Sequence, residues 1–231
     1  MKQTRIAVLG VYRSGSTAVA GALHHLGVDM GPPFFEGFYE SAGLSAQLRR
    51  WWDEPRLREK VKQAERVRVL AEWIKEREQG GARWVGMKHP LLSLCGEDLV
   101  QAWGPETRFV RCCRPLEDSI DSLKRLGRKV DGKLMQGTLM AALDRFFAGR
   151  EHLAIEFADL MSNPRREVER LMAYLNITAD ADKIEAAVRF IEPGRKSKVE
   201  LEQGEKIGAR QESGLGTVWG AIRKALTGRG K

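Results

Sequence analysis

The stretch that most constrains this chain is its beginning. Residues 5–9 (RIAVL) read as one strand, apolar without a break from Ile6 to Leu9, and residues 10–17 (GVYRSGST) as a turn rich in glycine and hydroxyl side chains. Residues 17–26 then place Val19, Ala20, Leu23 and Leu26 at helical spacing, and Gly27 stops the helix. A strand apolar along its whole length needs cover on both faces, which points to a parallel sheet between helices. The turn has chemistry of its own. Ser14, Gly15, Ser16 and Thr17 offer consecutive backbone amides at a helix N-terminus, where the dipole favours an anion, and Gly15 lets that anion come close to the main chain. Arg13 adds a cation.

The rest of the chain repeats the alternation. Residues 83–87, 107–113 and 153–157 read as further strands, and 54–79, 116–126, 134–147, 163–175 and 181–191 as helices. The long 54–79 helix is read from Leu57, Val61, Ala64, Val67, Ala71 and Ile74, which recur every three or four residues. The expected fold is therefore α/β, a parallel β-sheet flanked by helices on both faces. Residues 1–192 are expected to form that domain, with 29–81 inserted between the first two strands, and 193–231 a basic, glycine-rich tail.

Charge and composition exclude several classes. The 231 residues carry a net charge of +8, but residues 193–231 hold nine Lys/Arg against four Glu, so the body is close to balanced. With one aromatic in that tail, Trp219, and no nucleic-acid motif, no nucleic-acid partner is expected. No apolar run reaches the ~18 residues of a membrane span, and residues 6–11 are too short for a secretion signal. Three cysteines, two adjacent, do not make a disulfide framework, so a cytoplasmic setting is expected. Neither Cys-x-x-Cys nor His-x-x-x-His occurs, and no metal is expected.

A second anion site can be read further along. Arg114 stands at the C-terminal end of the strand 107–113, facing the crevice where α/β sheets bind ligands, and Ser122 lies eight residues on, two turns into the next helix. Ser119 is a less well spaced substitute. The first loop fits G-x4-G-x-T, with Ser16 where a P-loop carries Lys, so the side chain that reaches β- and γ-phosphates is missing. With these residues the sequence resembles the sulfotransferases, in particular their bacterial members with a P-loop-like architecture. The resemblance covers residues 5–175. It implies that Arg13 and Ser14, Gly15, Ser16 and Thr17 grip the 5′ end of the sulfuryl donor PAPS (3′-phosphoadenylyl sulfate), and that Arg114 and Ser122 hold its 3′-phosphate. Residues 157–160 (FADL) resemble a Y-E-D-L segment with Phe157 for Tyr and Ala158 for Glu. Arg195 and Lys196 resemble a basic segment that closes over the 3′-phosphate.

The resemblance also implies the reaction, transfer of a sulfuryl group from PAPS to a hydroxyl, or less readily an amine, of a small-molecule or carbohydrate acceptor, with release of PAP and no metal. Trp84-Val-Gly-Met-Lys88-His89-Pro90 resembles a W-x3-K-x-P run, and residues 37–40 (GFYE) a G-[FY]-[FY]-E run. Lys88, with Arg13, then stabilises charge on the sulfuryl group and the bridging oxygen, and Glu40 takes the acceptor's proton. His89 is the second candidate base, although strand alternation should turn it away from Lys88, and Glu36 is the third. Two other functions compete. A P-loop kinase needs the loop Lys and a strand-end Asp, for which Asp159 is the one loose candidate. A nucleotide-binding regulatory protein without catalysis is the other.

Overall fold

Residues 3–34, 38–53, 56–125 and 132–191 are described by a computed structural model. In chain order the elements are β1 (Thr4–Leu9), α1 (Ser16–His25), α2 (Ala42–Trp51), β2 (Trp52–Asp53), β3 (Arg58–Glu59) and α3 (Gln63–Gln79). There follow β4 (Trp84–Lys88), a 3-10 helix (Pro90–Leu94), α4 (Gly96–Trp103), β5 (Arg108–Cys113), α5 (Leu116–Lys124) and α6 (Gly132–Phe147). The chain continues through β6 (Leu153–Glu156), α7 (Phe157–Ser162), α8 (Pro164–Leu175) and α9 (Ala181–Ile191).

The four longer strands make one parallel sheet in the order β4-β1-β5-β6. Alternation divides its side chains between two cores. Ala7, Leu9, Val85, Met87 and Phe109 face a layer that includes Leu70 and Trp73 of α3, Leu99 and Trp103 of α4, and Met135 and Leu139 of α6. Ile6, Val8, Val110, Cys112 and Ile155 face Val19 and Leu23 of α1, Val168 and Leu171 of α8, and Ala187 and Ile191 of α9. Both faces are covered, as the apolar strands require. Cys112 is a core residue here, and burial pushes its thiol pKa up. Helix ends follow local chemistry. The Asn163 side chain accepts from the Arg166 amide with Pro164 at the first helical position, and Asn176 closes α8 in the left-handed conformation.

The helix expected over 54–79 is shorter, beginning at Gln63. Leu57 fits the helical period, yet it is buried in the turn of an antiparallel ribbon, β2–β3, with φ of 52°. The buried Arg66 ties this ribbon to the body. It reaches Asp98 of α4 at 2.7 Å, bonds Glu59 and the Val61 carbonyl, and lies over the Trp52 ring. α2 was not anticipated, although Leu44, Leu48 and Trp51 are spaced as one helical stripe and are its buried face.

Gly96 opens α4 against the ring of Phe146, where a Cβ would lie 2.3 Å from Cδ2 and 2.5 Å from Cγ. Phe146 is itself held by Phe109 and Phe147. Gly96→Ala is expected to lower the unfolding free energy by about 1–3 kcal/mol, the usual cost of overpacking. Equilibrium denaturation in urea would measure it, and an unchanged midpoint would show that the ring moves aside freely.

Candidate active site

The carboxyl ends of β1, β4 and β5 meet at one edge of the sheet, with Val8 level with both Lys88 and Val110. The chain leaves β1 toward the face covered by α1, whereas the segments after β4 and β5 pack on the other face. Neighbouring strands whose exits go to opposite faces open a crevice, the usual ligand site of such sheets.

The loop 10–15 lines that crevice. A Cβ on Gly10 would run into the Ser14 Oγ and lie 3.0 Å from the Cys112 carbonyl, so glycine lets the loop pack closely against β5. Gly15 has φ of 90°, and a Cβ there would strike the Phe157 ring at 2.7 Å. α1 starts at Ser16, which leaves its first amides without intrahelical acceptors. The Ser14 hydroxyl is buried with no protein partner. A buried hydroxyl beside open helix amides is a donor set suited to phosphate or sulfate oxygens.

Arg13 has φ of 65°, and its Nε donates to Ser122 Oγ at 3.0 Å. Arg114 Nη1 donates to the Arg13 carbonyl at 3.0 Å, and its guanidinium stacks 4.2 Å from the Phe157 ring centroid. Thus the loop arginine, the strand-end arginine and the helix serine form one connected cluster. Ser119 is not part of it, because its hydroxyl donates to the Leu116 carbonyl within its own helix.

A second cluster lies at the start of α1. Lys88 is 3 % exposed, and its Nζ donates to Glu40 Oε1 at 2.6 Å and Thr17 Oγ1 at 3.0 Å. His89 Nε2 is 3.6 Å from the other Glu40 oxygen. Burial raises the Glu40 carboxyl pKa, but Lys88 and His89, the Lys88 hydrogen bond and Arg49 together outweigh it and hold the group below its ordinary value. Glu40 is therefore ionised at neutral pH. His89 Nδ1 accepts the Leu91 amide at 3.1 Å, which puts the proton of the neutral ring on Nε2, facing Glu40.

His89 corrects the expectation from strand alternation. β4 ends at Lys88, and His89 caps the 3-10 helix, so both residues reach Glu40. Glu36, Arg195 and Lys196 lie outside the described residues, as does the tail. Asp159 is exposed on α7 after β6, which β5 separates from β1, so it holds no strand-end position beside the loop. The motif reading missed Ser93 and Gln136, whose side chains bond the main chain of Gly10 and Tyr12. For Gln136 a signal existed, a lone amide next to the apolar stripe of α6. Of the aromatics in 29–81, Trp51 and Trp52 are core, whereas Phe34 and Tyr39 pack together with centroids 5.0 Å apart, just before Glu40. Among the described residues no group of His, Cys, Asp or Glu is arranged to hold a metal ion, and no helix is long and apolar enough to cross a membrane.

Comparison with known proteins places the chain in a family. The family model described as the sulfotransferase family matches residues 5–181, and the chain belongs to that family. Its fold resembles sulfotransferase STF1 from Mycobacterium tuberculosis H37Rv at TM-score 0.50 and 16 % identity, over 81 % of this chain and 71 % of that one. It resembles the sulfotransferase domain of the curacin biosynthetic pathway at TM-score 0.56 and 14 % identity, over 80 % of this chain and 78 % of that domain. A sugar kinase from Janibacter sp. HTCC2649 has TM-score 0.50 and 18 % identity, over 76 % of this chain and 96 % of its own. These likenesses show the shared parallel α/β fold. No curated protein sequence matches the chain.

Glu40→Gln would leave the Lys88 ammonium buried without its counter-charge. The variant is expected to be less stable by about 3–5 kcal/mol at neutral pH, as when one partner of a buried pair is removed. Because the folded pKa of Glu40 lies below its unfolded value, the stability due to its ionisation is complete above the ordinary value of 4.5 and is lost as pH falls through the folded pKa. Denaturation curves of both proteins should therefore converge only in acid, and a gap independent of pH would refute the ion pair.

Proposed function

We propose that the protein transfers a sulfuryl group from PAPS to a hydroxyl of a small-molecule or carbohydrate acceptor, releasing PAP. The observation that carries this reading is the position of Lys88. It bridges Thr17, at the end of an anion-binding loop, and the carboxylate of Glu40, so an anion grip, a cation and a base adjoin in one crevice. Arg13 and the amides of residues 14–17 take the 5′-phosphate, with Ser14 supplying its buried hydroxyl. Arg114 and Ser122 take the 3′-phosphate.

Lys88 neutralises charge on the transferring group and on the bridging oxygen as the bond between that oxygen and sulfur breaks. Glu40 accepts the acceptor's hydroxyl proton while the acceptor oxygen forms its bond to sulfur, and PAP leaves with the electron pair. The ion pair suits this sequence. As Lys88 turns toward the anionic group at the loop, Glu40 loses the cation that depresses its proton affinity, and burial makes it a stronger base. His89 cannot take this part with its ring as placed, since Nδ1 holds a backbone amide and Nε2 carries the proton. It orients Glu40 instead. The acceptor side is formed from residues 29–81, which carry Glu40 and α2. Three free cysteines, two of them buried, suit a reducing, cytoplasmic compartment.

Thermal and chemical unfolding with PAP, ATP–Mg²⁺ or buffer tests the donor. PAP at 100-fold its Kd should add roughly 2.7 kcal/mol, and Arg114→Ala should abolish the gain. Stabilisation by ATP–Mg²⁺ with none by PAP would favour the kinase reading. Radiolabelled PAPS with hydroxyl acceptor pools then tests catalysis. Glu40→Gln should lower turnover by about 10²–10⁴-fold while PAP still binds. Tight PAP binding with no transfer to any acceptor class would favour the regulatory reading.

A further inference from the structure

One polar residue is buried in the helix layer beside the crevice without belonging to any motif. Gln136 of α6 is 0 % exposed and stands next to Met135 and Leu139, which are equally buried. Its amide is devoted to a single residue of the loop. The Tyr12 N–H donates to Gln136 Oε1 at 3.1 Å, and Gln136 Nε2 donates to the Tyr12 carbonyl at 2.6 Å. This pair of bonds is the one a neighbouring antiparallel strand would make. It also fixes the amide's orientation, because the reverse would set donor against donor.

Tyr12 lies just beyond the end of β1, where the sheet stops supplying partners. The next residue, Arg13, has φ of 65°, a conformation that a non-glycine residue keeps only where its surroundings over-determine it. From that backbone the Arg13 side chain reaches Ser122, and its carbonyl receives Arg114. Ser93 Oγ bonds the Gly10 carbonyl at 3.2 Å, on the other side of the turn.

We propose that Gln136 is a positioning residue for the anion site, holding both main-chain groups of Tyr12 so that Arg13 stays left-handed and aimed across the crevice. Its identity matters because the task needs one donor and one acceptor, a bond's length apart, at the end of a buried side chain. An apolar residue of similar size fills the space but takes from Tyr12 both of the main-chain hydrogen bonds that Gln136 supplies. A carboxylate offers an acceptor to Tyr12 N–H but turns a second acceptor on the Tyr12 carbonyl. A neutral carboxylic acid restores both bonds. The consequence for donor affinity rests on the reading of the crevice as the PAPS site; the consequence for the loop does not.

The test compares Gln136→Leu and Gln136→Glu with Leu139→Val, a core truncation one turn away. Backbone amide hydrogen exchange over residues 12–17 and PAP affinity are the two readouts. Gln136→Leu should speed exchange of the loop well beyond Leu139→Val at matched overall stability. It should weaken PAP by about 10- to 100-fold, the scale expected when a binding group is displaced by about 1 Å. Gln136→Glu should match wild type near about pH 6 and resemble Gln136→Leu near about pH 9, since burial raises a carboxyl's pKa and only the acid form pairs twice. Should Gln136→Leu fail to fold, this pH profile decides the question by itself. Loop exchange no faster than in Leu139→Val, or a Gln136→Glu profile parallel to wild type, would overturn the proposal. If wild type binds no PAP, the donor reading falls, and the exchange arm still decides the role of Gln136.

Discussion

β1 is hydrogen-bonded on both sides to parallel partners, with Val8 level with Lys88 on one side and Val110 on the other. This register decides which residues can meet. It ends the central strand one residue before Gly10, so the loop turns into the crevice where β4 delivers Lys88 and β5 delivers Arg114. A slip of one residue would reverse the faces of Ile6, Ala7, Val8 and Leu9, all fully buried, so the two cores lock the register and with it the site. The geometry of the crevice is thus a by-product of packing two apolar layers on a four-stranded sheet.

Within that frame the buried Lys88–Glu40 pair is a poor investment in stability alone. Taking two charges out of water costs several kcal/mol per ion, roughly what their attraction returns. Arg66 and Asp98 form a comparable buried pair, but theirs joins α3, α4 and the β2–β3 ribbon, and Arg66 has further partners in Glu59 and Val61. Lys88 instead spends its remaining hydrogen bonds on Thr17 and the Phe38 carbonyl, at the N-terminal end of α1. One pair knits an insertion to the body, and the other holds a buried ammonium between a carboxylate and the start of α1.

The legible part of the chain was the part whose signals are local. Strand, glycine turn and helix at residues 4–25 follow from apolar runs and turn chemistry within a few residues. The places of Arg114 after β5 and of Ser122 within α5 follow likewise from a strand and a helix read locally. Contacts set by tertiary structure were not legible. Nothing near Arg13 announces that its Nε reaches Ser122, more than a hundred residues away. His89 was expected to turn from Lys88 because alternation was carried one residue too far, past the end of β4 into a 3-10 helix begun by Pro90. The period at Leu57 marks a buried residue correctly but not the helix, since a turn of a ribbon can bury the same side chain. Gln136 stands out locally as a lone amide beside an apolar stripe, but its partner, Tyr12, is set by tertiary structure.

Ser16 stands where a P-loop carries its lysine, and the structure supplies a cation near that position from elsewhere in the chain. Lys88 comes from β4 and places its ammonium 3.0 Å from the hydroxyl of Thr17, the next residue. The two arrangements are not equivalent. A lysine on the loop follows the loop and answers only to the anion bound there. A lysine delivered by β4 is shared with Glu40, so occupancy of the anion site and the proton affinity of the carboxylate become linked. For transfer to a hydroxyl the linkage has a direction. On the proposed reading, the carboxylate without an anion is a weak base held by its partner, and with one the ammonium is drawn to the loop and the carboxylate is released. In that scheme it is the pairing of Lys88 with Glu40, in place of a lysine at Ser16, that couples donor binding to acceptor activation.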